Sequence, residues 1–161
     1  MKVPEHEISR FALRMLYIGL IIDVVGAIIL YVAGLFLENA GKIGVESGTN
    51  VDIFGYVLIG ISAIELLVIV VLKRKLLNPS NPVLSQSKKP GELFGRITTF
   101  YVILYFVALS PAIYGFLFYI LSGLQDMFML LACLTLIGYL MVRPRPEFIE
   151  HLLETFDFDQ L

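Results

Sequence analysis

The chain has one cysteine, Cys133, no tryptophan and two histidines among 161 residues. A single cysteine excludes an internal disulfide framework and a cysteine-cluster metal site. Charge is scarce as well: 16% of residues are Asp, Glu, Lys or Arg, where soluble domains carry about a quarter. The formal net charge of −2 excludes a globally basic nucleic-acid binder. Also missing are a Walker loop, a dinucleotide fingerprint, an HExxH pair, and any nucleophile with a histidine and an acid suitably placed. His6 and His151 both lie outside the long apolar runs, so a haem held by two intramembrane histidines is excluded too. The expectation is a protein with no catalytic residues, no cofactor and no metal site.

What the chain has in quantity is apolar side chain, 58% of all residues, with a mean hydropathy of +0.84. Crossing a bilayer takes about 20 predominantly apolar residues. Four runs qualify: Met15 to Leu37, Ile53 to Leu72, Ile97 to Leu121, and the shorter Met127 to Val142. The first is far longer than the about 7–15 residues of a signal-peptide core, and no A-x-A site follows near Glu38, so it reads as a retained span. The expected fold is all-α: a single polytopic domain over residues 1–161, with four transmembrane helices arranged as two antiparallel hairpins.

Basic residues set the orientation. Lys2, Arg10 and Arg14 precede the first run. Lys73, Arg74, Lys75, Lys88, Lys89 and Arg96 separate the second from the third, and Arg143 and Arg145 follow the fourth. Eleven of the twelve Lys and Arg thus fall on one side, and Lys42 stands alone on the other beside Glu38, Glu46, Asp52 and Asp126. Both termini are expected in the cytoplasm. Asn78-Pro79 and Asn81-Pro82 argue against a continuous helix in the second loop. Arg143-Pro144-Arg145-Pro146 stops the fourth span, because proline cannot continue it.

A short amphipathic helix is predicted over 146–157, with Phe148, Ile149, Leu152, Leu153 and Phe156 on one face and Glu147, Glu150, Glu154 and Asp157 elsewhere. Interfacial helices on anionic lipid usually carry Lys and Arg on the polar face. This one is acidic, so its apolar face either docks on a protein partner or rests on the chain's own bilayer boundary. A weaker pattern of the same kind opens the chain at Pro4 to Leu13.

Two carboxyls interrupt the runs, Asp23 and Glu65. Intramembrane carboxyls are costly and usually functional. Asp23 lies nine residues from Arg14, about 13 Å at 1.5 Å per residue, and Glu65 eight residues from Lys73, about 12 Å. Counting in from Arg96 and back from Arg143 brings Tyr105 and Thr135 to the same depth. A polar layer of Asp23, Glu65, Tyr105 and Thr135 is therefore expected. Small-residue stripes flank it: Gly19, Gly26 and Ala33; Gly55 and Ser62; Ala108, Ala112 and Gly115; Ala132 and Gly138. If the carboxyls meet, burial and mutual repulsion favour sharing a proton. Three uses stay open: a hydrogen-bonded lock between helices, a proton or small-cation site, or a contact for a partner subunit.

The third run contains Ser110-Pro111-Ala112-Ile113-Tyr114-Gly115, followed by a tight turn and a shorter helix. In this setting the string resembles the helical hairpin of rotary-ATPase proteolipid c subunits, and also small four-helix bacterial membrane proteins ending in an Arg-Pro-rich segment. The resemblance covers roughly the second half of the chain and implies a hairpin in a bacterial or archaeal cytoplasmic membrane. In the proteolipid pattern a glutamate precedes the alanine by three residues; here that position is Leu109, and no GxGxGxG stripe is present. The function expected is a non-catalytic structural or assembly subunit of a larger membrane complex or homo-oligomer. The alternative is a proton- or cation-carrying subunit using Asp23 and Glu65.

Overall fold

A computed structural model describes residues 4–44, 49–87 and 89–156, with backbone alone for 49–52. Lys2, Glu46, Lys88 and Asp157, which enter the charge patterns above, lie outside these residues. The described residues form helices and no strand. α1 (Glu5–Gly19) runs through a π-helical segment (Leu20–Val25) into α2 (Gly26–Asn39). Then come α3 (Thr49–Leu76), the single turn α4 (Pro82–Ser85), α5 (Pro90–Ser122), α6 (Gln125–Val142) and α7 (Pro146–Thr155). Four stretches are long and apolar enough to cross a membrane: Glu5–Asn39, Ile53–Leu76, Pro90–Ser122 and Gln125–Val142. Helices suit hydrocarbon because each satisfies its own backbone amides and carbonyls.

Burial is inverted relative to a soluble protein. Phe36 is 72% exposed and Phe106 60%, whereas Asp23, Ser62 and Thr135 are fully buried. The outer surface is therefore matched to an apolar solvent, and the polar side chains of the spans turn inward. The helices also run past the apolar limits at their basic ends. α1 reaches back to Glu5, so the amphipathic opening segment is the start of the first long helix; no breaker stands between Pro4 and Gly19 to end it. α5 starts at Pro90, where proline occupies the first turn without loss of an internal hydrogen bond.

α5 is the central element. α2, α3 and α6 all pack on it, and the first and second spans make their principal contacts with α5 and α6 rather than with each other. Tyr101, Leu104, Tyr105, Ala108 and Ala112 are buried along its length. α6 approaches closely because glycine stands at the contacts. A Cβ at Gly115 would lie 3.1 Å from Leu131 Cβ, and one at Gly138 would lie 3.1 Å from Ala108 Cβ. The chain turns from α5 into α6 at Gly123, whose φ of 74° is left-handed and whose amide donates to the Tyr119 carbonyl at 2.8 Å.

The basic end of the bundle is capped by short elements. Asn81 Oδ1 accepts from the Val83 amide at 2.9 Å and starts α4, while Asn81 Nδ2 donates to the Leu76 carbonyl at 3.0 Å and closes α3. α7 lays Ile149, Leu152 and Leu153 into the same apolar cluster as Ile8, Ala12, Leu84, Leu93 and Ile97. Its apolar face thus packs on the chain's own α1, in a cluster that also holds Leu93 and Ile97 of α5, leaving Phe148 outside.

These contacts separate glycines that are required from those that are not. A Cβ at Gly19 would fall 2.2 Å from the Tyr105 ring, and one at Gly34 would fall 2.7 Å from the Tyr119 ring; at Gly60 it meets nothing within 4 Å. Gly19→Ala and Gly34→Ala should each destabilise by about 1–3 kcal/mol through overpacking. Gly60→Ala should leave stability unchanged or raise it by up to about 1 kcal/mol. Thermal unfolding in detergent, followed by circular dichroism, checks the ranking.

Candidate functional site within the membrane

Asp23 sits in the π-helical segment, where one turn holds more residues than an α-turn and the helix bulges; such bulges recur at functional sites. Its side chain is fully buried, and neither carboxyl oxygen has a hydrogen-bond partner among the described residues. The hydroxyls of Tyr105 and Tyr139 lie within electrostatic reach of it. Gly19, one turn before Asp23, admits the Tyr105 ring against the helix backbone. The rings continue as a series: Tyr101 and Tyr105 have centroids 6.3 Å apart, and Tyr105 and Tyr139 6.1 Å. The Tyr101 and Tyr105 hydroxyls are buried and also lack partners, whereas Tyr139 Oη donates weakly to the Leu16 carbonyl at 3.4 Å.

Glu65 lies elsewhere. Its Oε2 accepts from Ser110 Oγ at 2.7 Å and its Oε1 from Tyr114 Oη at 2.7 Å, all three side chains being partly exposed on the outside of the bundle. Ser110 Oγ is also 2.7 Å from the Val107 carbonyl. That carbonyl would accept from residue 111 in a regular helix, but Pro111 has no amide to give. Serine has one hydrogen and here two acceptors. The one hydrogen serves Glu65 Oε2 or the Val107 carbonyl, not both at once.

Thr135 serves the other side of the same break. Its Oγ1 accepts from the Ala112 amide at 3.0 Å, tying α6 to α5 just beyond Pro111. The four residues expected in one layer are therefore divided. Asp23 and Tyr105 come together, Thr135 is committed to a backbone amide, and no hydrogen bond joins Asp23 to Glu65 among the described residues. The reason is helical phase. Tyr114 follows Tyr105 by nine residues, which at about 100° per residue is half a turn round α5. The two carboxyls approach α5 from opposite sides, and depth counted from flanking charges carries no information about phase.

Four participants escaped the sequence reading: Ser110, Tyr114, Tyr139 and, as an unpaired hydroxyl, Tyr101. A signal existed for the first two, because a proline inside an apolar run requires a donor for its orphaned carbonyl, and Ser110 and Tyr114 are four apart on one face. At the opposite end of the bundle, Tyr119 Oη donates to Glu38 Oε2 at 2.6 Å and Gln125 Nε2 donates to Tyr31 Oη at 2.8 Å. These bonds fasten the end of α2 to the α5–α6 turn. Among the described residues no group of three His, Cys, Asp or Glu is placed to hold a metal ion. Comparison with protein-family models, with curated proteins and with solved structures gives no match.

The hydrogen count at Glu65 has a direct consequence. Glutamine supplies both a carbonyl for Tyr114 and an amide donor for Ser110, so Glu65→Gln should keep unfolding stability within about 1 kcal/mol of the parent, while Glu65→Ala should lower it by about 1–3 kcal/mol. A lipid-soluble carbodiimide should modify Glu65 in preference to the buried Asp23, as read by peptide mass spectrometry. Predominant labelling at Asp23 would contradict the assignment. At the proline break, Thr135→Val leaves a buried amide without its acceptor and should cost about 1–3 kcal/mol, whereas Thr135→Ser should restore most of it.

Proposed function

We propose that this chain is a non-catalytic subunit of a larger membrane assembly or of a homo-oligomer, built as two antiparallel hairpins with both termini cytoplasmic. The observation that carries the reading is the Glu65, Ser110 and Tyr114 cluster, held by two helices and partly exposed on the apolar outer surface. Polar side chains at a lipid boundary within a span are unfavourable, and a neighbouring helix that covers them removes that penalty. The glycine contacts between α5 and α6 and the fastening of α2 to their turn support the hairpin arrangement. Eleven of twelve basic residues at one end support the orientation. The acidic C-terminal helix presents Glu147, Glu150 and Glu154 outward, a surface that suits a basic partner once its apolar face is docked.

Copurification after gentle solubilisation tests this. A stable oligomer or a stoichiometric partner is expected, and cysteine introduced at Ile61, exposed and one turn from Glu65 on the same face of α3, should cross-link to it. A monodisperse monomer in native-like lipid, with no cross-link, overturns the reading.

A second reading, transport of a proton or small cation, is favoured by one feature: the buried Asp23 carboxyl without a partner, in a π-helical segment beside the Tyr105 hydroxyl. It requires that reconstituted protein conduct in a pH-dependent manner and that Asp23→Asn abolish conduction while leaving the circular dichroism spectrum unchanged. Parent protein that gives no flux above empty liposomes removes this reading.

A further inference from the structure

At the basic end of the bundle an open cavity of about 1020 Å³ lies between α3, α5, α6 and α7. Its charged lining is Lys73 and Arg74 from α3, with Arg145 and Glu147 from the start of α7, so cations exceed acids by three to one. Lys73 is held in place. Its Nζ donates to the carbonyls of Met141, Val142 and Arg143 at 2.8, 3.1 and 3.2 Å, and so closes the end of α6. Arg145 is near enough to repel the Lys73 ammonium. The Arg74 and Arg145 guanidinium groups form no hydrogen bond or ion pair with the protein among the described residues. Three cations gathered with a single acid, Glu147, raise the free energy of the folded state, and an anion relieves this.

A second observation points to the same ligand. Tyr101 lines this cavity from its buried side; the residue is fully buried and its hydroxyl has no partner. A buried donor left unsatisfied is rare and calls for an acceptor. The remaining wall is mostly apolar, with Val70, Met141 and the exposed ring of Phe148, and His151 at its edge on α7. The cavity also opens beside the N-terminus of α7, the positive end of that helix dipole. Fixed positive charge, one unpaired hydroxyl donor and an apolar wall next to a membrane span match a phosphate ester attached to an acyl chain. We infer that this cavity is a binding site for the phosphate headgroup of an anionic phospholipid, with Arg74 and Arg145 pairing the phosphate, Tyr101 donating to it, and Lys73 contributing charge from its fixed position. Basic pockets between transmembrane helices are known to take such headgroups.

The test uses full-length protein in detergent, titrated with short-chain phosphatidylglycerol or phosphatidylcholine and read by native mass spectrometry and thermal unfolding. Saturable binding and a raised unfolding temperature are expected with phosphatidylglycerol and not with phosphatidylcholine. The Arg74→Gln/Arg145→Gln variant should bind about 30-fold more weakly, taking roughly one unit of surface attraction per basic residue. Tyr101→Phe should weaken binding several-fold with the circular dichroism spectrum unchanged, and it keeps the test open if the double variant folds poorly. Lys89→Gln, remote from the cavity, should bind as the parent does. Millimolar inorganic phosphate should not displace the lipid. Equal binding of the two lipids, parent-like affinity in both the double variant and Tyr101→Phe, or full displacement by free phosphate would each overturn the assignment.

Discussion

Pro111 removes one amide from the middle of α5, and much of the bundle is organised around that missing hydrogen. In water the freed Val107 carbonyl would be hydrated; in hydrocarbon it must be satisfied from within the protein. Ser110 turns back to it, and the same hydroxyl lies within hydrogen-bond reach of Glu65 of α3, to which it can donate. On the far side of the break the Ala112 amide is taken by Thr135 of α6. One absent donor thus links three helices through side chains that would otherwise be out of place in a span. The same proline suits α5 to be the hub, because the break gives its backbone polar groups to share with both neighbours.

Asp23 presents the opposite case. Nothing in its surroundings answers its carboxyl oxygens, although two tyrosine hydroxyls nearby are equally unsatisfied. The packing that buries it is specific: glycine at position 19 lets the Tyr105 ring approach, and the π-helical turn displaces the backbone where the ring arrives. A protein that wanted only a helix lock would gain more from a bonded pair, as Glu65 shows with Ser110 and Tyr114. The contrast is one of surroundings: Glu65 is bonded and partly exposed, Asp23 unbonded and buried.

The four membrane-length helices were legible because hydropathy and length report directly on the solvent a segment must meet. The stops at Asn78-Pro79 and Arg143-Pro144 were legible for a similarly local reason, since proline and the residue before it are constrained by their own geometry. Hydrogen-bond partners were not legible in the same way: Glu65 meets Ser110 and Tyr114, and Thr135 meets the Ala112 amide. Charge-to-charge counting measures height along a helix, while partnership depends on azimuth, and azimuth around α5 is fixed by long-range packing of α3 and α6. The Tyr119–Glu38 bond was hidden for the same reason: the residues are 81 apart in sequence and meet only once the helices are packed.

The basic residues illustrate how one sequence signal divides into several physical roles. Counted together, they give an orientation, and each contributes alike. In the folded chain they differ. Arg96 donates to the Val83 carbonyl and holds α4 against α5. Lys73 spends its three donors on the last carbonyls of α6, a helix with no basic residue in its own final turn, so that the cap comes from a neighbouring span. Pro144 ends the helix, and the ammonium satisfies the carbonyls left open there. Arg74, adjacent in sequence to Lys73, is turned by about 100° and left facing the cavity with Arg145. The stop of the fourth span thus sets both the cap that Lys73 provides and the place where Arg145 joins Arg74 at the cavity.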